Sequence, residues 1–376
     1  MSADRCHRIL ICFEYTTLNG GEHSLLAALR LLKRKDLQFI TAAPPEGRLF
    51  EALQALNLPI YPLQLRDKSG RKRSSEEINT ELRSLIEQVQ PDLVHANSLA
   101  MGRHLGRIAG DIHQPLTAHL RDIIRLSDQA IEDLNQLDRL IAVSDATAYY
   151  HEKQGLSANK IIALNNGVDT ELFQPRPPIG KLKFELGLKP ESFLIANIGQ
   201  ICLRKGQNVV AEAVSRLIES FPELHLLFVG ERYSQKQESI DYEKRLHQVF
   251  DEAGHAEHVH FLGYREDIPF ILNEVDLLVH TAHQEPFGRV LLEAAASGCP
   301  IVATTVGGTI SIIEPNYSGM LLPPGDPDLL EYALQELIPD AQRRNEFSEA
   351  ARESVAGRYS ISYSAAGLYD IWKELL

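Results

Sequence analysis

Apolar positions along the chain fall into two kinds of stretch. Short continuous runs recur as RILICF, QFITAAP, DLVHANS, LTAHL, RLIAVS and KIIALNNG in the first half, and as FLIANIG, HLLFVG, VHFLGY, DLLVHTA and PIVATTVGG in the second. Between them lie longer stretches whose apolar residues are spaced by three or four. Continuous apolar runs are what strands covered on both faces look like, and their alternation with amphipathic helices is the rhythm of a parallel sheet with crossover helices. The rhythm breaks once, at TELFQPRPPIG, which is rich in Pro and has no period. The pattern predicts two α/β domains, residues 1–172 and 173–358, joined near residues 172–185.

Length supports two cores, since 376 residues exceed the usual single-domain size. The start, MSADRCHRILICF, has no long apolar run after a basic cluster, and no uninterrupted apolar run is long enough to span a bilayer, so neither a signal peptide nor a membrane span is expected. Cys6, Cys12, Cys202 and Cys299 form no C-x-x-C pair and no zinc-type spacing, which points to a reducing, cytoplasmic setting. The net charge of -13 is uneven: 20 basic against 22 acidic residues stand before residue 173, and 18 against 29 after it. That acidity argues against a general nucleic-acid binder.

Chemistry in open α/β sheets sits at the carboxyl ends of strands. Three loops there stand out. Leu18-Asn19-Gly20-Gly21-Glu22 follows the first strand and leads into a helix whose free amides would face an anion, although no third Gly completes a dinucleotide fingerprint. The stretch IGQICLRKGQ runs from a strand through Gly199 to a helix beginning near Gln207, with Arg204 and Lys205 in the loop, cations suited to a diphosphate. The third, EPFGRVLLEAAASGCPIVATTVGG, puts Glu293 among Leu, Val and Ala, where a carboxylate is costly without a partner. If its helix starts at Pro286, Glu285 lies at the mouth and Glu293 about two turns in.

Each oxygen of a carboxylate accepts one hydrogen bond from a vicinal diol, so Glu293 suits a ribose and Glu285 the hydroxyls of a second sugar. With cations and helix amides for a diphosphate, the ligand implied is a nucleotide sugar. No metal is expected. Asp326 and Asp328 sit in a Pro-Gly turn where capping is the sensible role, and His255, His258 and His260 in GHAEHVHF alternate toward a strand without a second ligand set.

These motifs together resemble the family-four group of retaining nucleotide-sugar glycosyltransferases (glycosyl transferases group 1). The resemblance covers nearly the whole chain. Its strongest mark is E-P-F-G-x-x-x-x-E, Glu285 to Glu293, followed by A-x-G-x-P-I-V-A and the pair Gly307-Gly308. Supporting it are the Gly-Gly-Glu loop, RLIAVSDAT, NNGVDTELFQP, the Arg-Lys-Gly loop and FLGYREDIPFILNEVDLLV. The resemblance implies a GT-B fold, two Rossmann-like domains facing each other across a cleft, with the acceptor on the first and the nucleotide on the second. It also implies that the last helix, about residues 359–376, packs back on the first domain.

By the same resemblance Lys205 contacts the donor diphosphate, Glu293 the ribose and Glu285 the sugar hydroxyls, while His119, at the end of LTAHL, meets the donor sugar at its reacting face. Backbone amides of Phe287, Gly288, Arg289 and Val290 assist, Gly20, Gly21 and Arg204 line the donor, and the backbone around Gly263, Tyr264 and Arg265 meets the base. The implied reaction is front-face attack by a hydroxyl acceptor with retention and without a cofactor, so Glu285 positions the sugar and is not a nucleophile. One position departs from the pattern: Gln200 stands where many members carry Arg, which leaves three readings open, compensation by Arg204, a less electrostatic grip on the donor, or altered chemistry.

The donor is expected to be a UDP or GDP sugar and the acceptor a glycan, glycolipid or small molecule. Two other readings stay open at this point: an epimerase or phosphorylase of the same fold, and a non-catalytic nucleotide-sugar-binding partner subunit. The basic run Arg66, Lys68, Arg71, Lys72 and Arg73 reads first as a solvated loop, with an anionic acceptor, or peripheral contact to an anionic membrane through Arg71, Lys72 and Arg73, as its rival. A second patch, Arg30, Lys33, Arg34 and Lys35, complements the dipole of the first helix.

Overall fold

A computed structural model describes residues 6–33, 36–67 and 70–376. Its first seven strands are β1 His7–Cys12, β2 Leu37–Ala43, β3 Ile60–Pro62, β4 Leu93–Ala96, β5 Leu116–Leu120, β6 Arg139–Ala142 and β7 Ile161–Ala163. The other six are β8 Phe193–Ile198, β9 Leu224–Val229, β10 Val259–Gly263, β11 Leu277–His280, β12 Ile301–Thr304 and β13 Met320–Leu322. Among the described residues they form two sheets, in the orders β3-β2-β1-β4-β5-β6-β7 and β10-β9-β8-β11-β12-β13. Every pairing between them is parallel.

Contacts divide the chain into two units. The first ends at Gly167 and takes in Ile361–Leu376; the second is Val168–Ser360. Each has its own apolar interior. In the first, helices pack on both faces: Ser75–Val89 and Leu99–Ile108 on one, Gly20–Leu32 and Ile361–Lys373 on the other, where Trp372 is fully buried. In the second, every residue of β9 (LHLLFV) is buried, with Leu224, Leu226 and Phe228 in the core shared with the helix Gln207–Leu217. This two-sided cover explains why the strands read as unbroken apolar runs.

The sheet orders locate the switch point of each sheet. In each sheet the winding reverses between the first strand and its fourth-strand neighbour, β1 and β4 in one unit, β8 and β11 in the other. At such a switch point the loops leaving the strand ends part and leave a crevice lined by backbone amides. The loops that leave these strands carry Gly20-Gly21, Arg204-Lys205 and Glu285–Gly288.

Two predicted details differ in the structure. The helix of the Glu285-to-Glu293 motif does not start at Pro286 but spans Arg289–Ala296, because Gly288, its N-cap, is left-handed with φ 106°. Glu285 therefore lies in the preceding loop, and the two carboxylates do not share a helix. The three-residue edge strands β3 and β13 are too short to show a period and were not among the predicted runs.

Candidate functional site

In the second unit the chain leaves β8 through Gly199, makes a single tight turn at Leu203–Lys205 and enters the helix Gln207–Leu217. Gly206 joins turn to helix with φ 61°, and a Cβ there would lie 2.2 Å from the Thr281 carbonyl oxygen. Only Gly meets both demands. This close approach sets the Arg204-Lys205 turn against the loop that leaves β11.

That second loop carries Glu285. Lys205 Nζ donates to Glu285 Oε2 at 2.5 Å, and His280 Nε2 is 3.0 Å from the same oxygen. Arg204 Nη1 donates to the Gln284 carbonyl at 2.9 Å and stands 4.0 Å from Glu285 Oε2. Burial pushes the Glu285 carboxyl up, but Lys205, His280 and Arg204 outweigh it and hold the group well below the usual carboxylate range. Burial and the Lys205 charge lower His280, so it sits neutral beside an ionised Glu285. His280 is a member of this cluster that the sequence reading did not single out.

The loop is fixed from behind by the glycine pair after β12. Gly308 N donates to the Glu285 carbonyl at 3.0 Å, and a Cβ on Gly308 would lie 2.5 Å from Phe287 Cα. Phe287 is itself buried against Tyr359. The amides of Arg289 and Val290 open the helix, where intrahelical geometry supplies no acceptor. Glu293 lies one turn further in, buried, with its carboxyl pushed up by burial and pulled down by Arg289. Arg289 forms an ion pair with Glu293 Oε1, yet the approach lacks hydrogen-bond geometry and that oxygen has no hydrogen-bond partner among the described residues. A half-satisfied buried carboxylate is an acceptor held ready for a hydroxyl.

The loop after β10 contains Gly263, Tyr264 and Arg265. Gly263 is left-handed, and its carbonyl accepts from Gly230 N at 2.8 Å. The Arg265 guanidinium is committed to Asp267 at 2.7 and 2.8 Å and to Glu185 at 2.6 Å. Asp326 caps the helix Pro327–Leu337 through the amides of Asp328 and Leu329, and Asp328 pairs with Arg216. No group of three or more metal-type side chains converges among the described residues.

The first unit assembles a separate polar centre around Gly20, Gly21 and His119. Gly21 faces Arg121, whose Cδ would lie 2.6 Å from a Cβ there. Arg121 donates to Asn97 Oδ1 at 2.9 and 3.1 Å and to Asn166 Oδ1 at 3.2 Å. Asn97 in turn donates to Glu22 Oε1 at 3.2 Å, while Glu22 Oε2 accepts from Asn19 N in a capping box. Burial lowers Arg121 to about 10, with Glu22 and Asp122 opposing. Arg121 stands just past the end of β5, two residues after His119; no local spacing marked it, since its partners lie 24 and 45 residues away.

His119 is buried and receives contact from His95, whose Nε2 is 2.8 Å from His119 Nδ1. Burial, then the Arg121 charge, pushes His119 well below its ordinary value. Of the basic run, Lys68 lies outside the described residues. Arg66 and Lys72 form an antiparallel bridge, and Arg73 forks onto Glu81 at 2.5 and 2.8 Å. In the second patch Arg34 and Lys35 lie outside the described residues, and Lys33 Nζ donates to the Leu56 carbonyl at 2.6 Å. Among the described residues no helix is long and apolar enough to cross a membrane.

With this geometry in place, comparison with known proteins is direct. The family model described as Glycosyl transferases group 1 matches residues 179–354, and that described as Glycosyltransferase Family 4 matches residues 18–172. A D-inositol 3-phosphate glycosyltransferase of Corynebacterium urealyticum is 30% identical over 259 residues, 67% of this chain and 59% of that protein. One from Mycobacterium marinum is 32% identical over 254 residues, 65% of this chain and 50% of that protein. The match thus spans about half to three fifths of the length of these relatives. The crystal structure of Anabaena HepE in complex with UDP-glucose superposes with a TM-score of 0.87 at 24% identity, covering 98% of this chain and 100% of that one.

Proposed function

The chain belongs to the glycosyl transferases group 1, and from that premise we propose that it moves a hexose from a nucleoside-diphosphate sugar to a hydroxyl acceptor, with retention and without a metal. The observation that carries the reading is the Arg204-Lys205 turn locked onto Glu285 beside the open amides of Arg289 and Val290.

Breaking the bond between an anomeric carbon and a diphosphate builds negative charge on the phosphate oxygens and oxocarbenium character on the sugar. Lys205, Arg204 and the helix amides meet the first. Their positions are fixed before ligand arrives, so little reorganisation accompanies charge development. Glu285, ionised and held by Lys205 and His280, accepts from the sugar hydroxyls. Glu293 accepts from the ribose, and the backbone of Gly263, Tyr264 and Arg265 faces the base. Of the first unit, Gly20, Gly21 and His119 are assigned on this reading to the donor sugar, and the acceptor is assigned to that unit. The acceptor hydroxyl gives its proton to the departing phosphate, which needs no protein base.

Release of nucleoside diphosphate is the test. Incubated with a bound donor, the protein should release it only when a hydroxyl acceptor is supplied, and the product should keep the donor's anomeric configuration. Conversion of the donor, with no acceptor present and no nucleoside diphosphate released, into a sugar nucleotide of altered stereochemistry would instead mark an epimerase. UDP-glucose heads the donor panel because it is the compound named for the Anabaena neighbour. A second reading, a nucleotide-sugar-binding subunit without turnover, is favoured by the neutral Gln200 and by Arg204's hydrogen bond to Gln284; binding with no release under any acceptor supports it.

A further inference from the structure

Three buried side chains of the first unit form a hydrogen-bonded row that ends at His119. His95 on β4 and Thr117 on β5 are register partners, and Thr117 and His119 are two apart on β5, so they share a face of the sheet. His95 Nδ1 is 2.8 Å from Thr117 Oγ1 and His95 Nε2 is 2.8 Å from His119 Nδ1. The two rings meet edge to face at 90°, and Trp372 of the C-terminal helix covers His95 from another side with ring centres 5.4 Å apart. His95 and Thr117 have no exposed surface.

The direction of each bond follows from proton counting. Burial disfavours the charged form of both rings, and the nearby Arg121 disfavours it further, so each is neutral and carries one N–H. The Thr117 hydroxyl has one proton and, among the described residues, one partner, His95 Nδ1. Leaving that proton unpaired in the interior would cost about 1–3 kcal/mol, so Thr117 donates and His95 Nδ1 accepts. The His95 proton is then on Nε2, where it is donated to His119 Nδ1. The single proton of His119 is consequently on Nε2, which makes no hydrogen bond to any described residue.

We propose that Thr117 and His95 are positioning residues that set the tautomer of His119, so that it presents an Nε2–H donor, and not a base, to a hydroxyl oxygen of the donor sugar. The contact with the sugar rests on the glycosyltransferase reading above; the tautomer does not. A donor there holds the sugar without removing a proton, which agrees with the acceptor's proton leaving on phosphate. It also gives the C-terminal helix a part in the site, since Trp372 keeps His95 dry.

Nitrogen-15 NMR of the full chain with labelled histidine, recorded without nucleotide and assigned with His119→Gln, reads the tautomer directly. The expected spectrum shows His119 Nδ1 as the unprotonated nitrogen and Nε2 as the protonated one. The reverse pattern, or averaged signals, overturns the proposal. Thr117→Val, close in shape but without the hydroxyl, should then move His119 toward a mixture of tautomers; an unchanged His119 spectrum would remove Thr117 from the mechanism. If Thr117→Val does not fold, the native spectrum still decides. Absence of nucleotide-sugar binding would sink the enzymatic reading while leaving the tautomer result standing.

Discussion

Lys205 Nζ and Glu285 Oε2 lie 2.5 Å apart in a pocket where both side chains are mostly buried. The ion pair spans two loops 80 residues apart in sequence and is joined by His280, so it holds the ends of β8 and β11 in register. A buried carboxylate deprived of its cation is a heavier loss than the pair is a gain, which makes the pair a structural tie as well as the proposed ligand contact.

Lys205→Met should therefore destabilise the protein by about 3 kcal/mol and abolish donor binding. Adding Glu285→Gln should recover much of the stability and none of the binding. Urea denaturation read alongside calorimetry measures both. Equal recovery of the two would show that Lys205 acts only through folding.

Glu293→Gln removes a buried charge whose carboxyl is pushed up by burial. Its thermal midpoint should equal or exceed that of the native chain, whereas affinity for the nucleotide sugar should fall about tenfold, the equivalent of one charge-assisted hydrogen bond. Unaltered affinity would take the ribose away from this residue.

Gly206 and Gly254 both have positive φ, 61° and 74°, but a Cβ meets the Thr281 carbonyl at the first and nothing within 4 Å at the second. Gly254→Ala should cost about 1 kcal/mol, the left-handed penalty alone. Gly206→Ala should cost about 1–3 kcal/mol more, because backbone at the site must move. Similar losses at the two positions would mean the loop after β11 yields easily.

Acid should weaken the second unit through its histidines. Burial first, then the charges of His260 and His258, lower His225 to about 4, and burial lowers His260. A histidine whose folded value lies below its unfolded 6.5 adds stability that is complete above pH 6.5 and is lost as pH falls toward 4. The melting temperature should drop across that window, and His225→Gln should flatten the drop. An equally steep profile in the variant would assign the loss to other groups.

Much of the fold was legible because burial on both faces forces continuous apolar strands, and eleven such runs in two groups fix a pair of parallel sheets. Edge strands β3 and β13 escaped, being too short to have a pattern. The loops of the second unit were visible because Gly and charged residues punctuate them after apolar runs, whereas the contacts that require Gly206 and Gly308, the Thr281 carbonyl and Phe287, come from residues far along the chain. The start of the Glu293 helix was misplaced at Pro286 because a proline favours a first turn, and only the left-handed Gly288 rules it out. Arg121, Asn97 and His95 were invisible for the opposite reason: their partners come from other strands, so no spacing announces them.

The most direct test of the central claim is calorimetric titration of the folded chain with UDP, GDP and ADP and their common hexose conjugates, paired with thermal shifts, since a ligand that binds only the native state must raise its melting temperature. One nucleotide class should bind and stabilise, and its sugar conjugate should lose affinity in Lys205→Met and Glu293→Gln. No heat and no shift with any of them, in protein that melts cooperatively, would contradict a nucleotide-sugar site in the second unit.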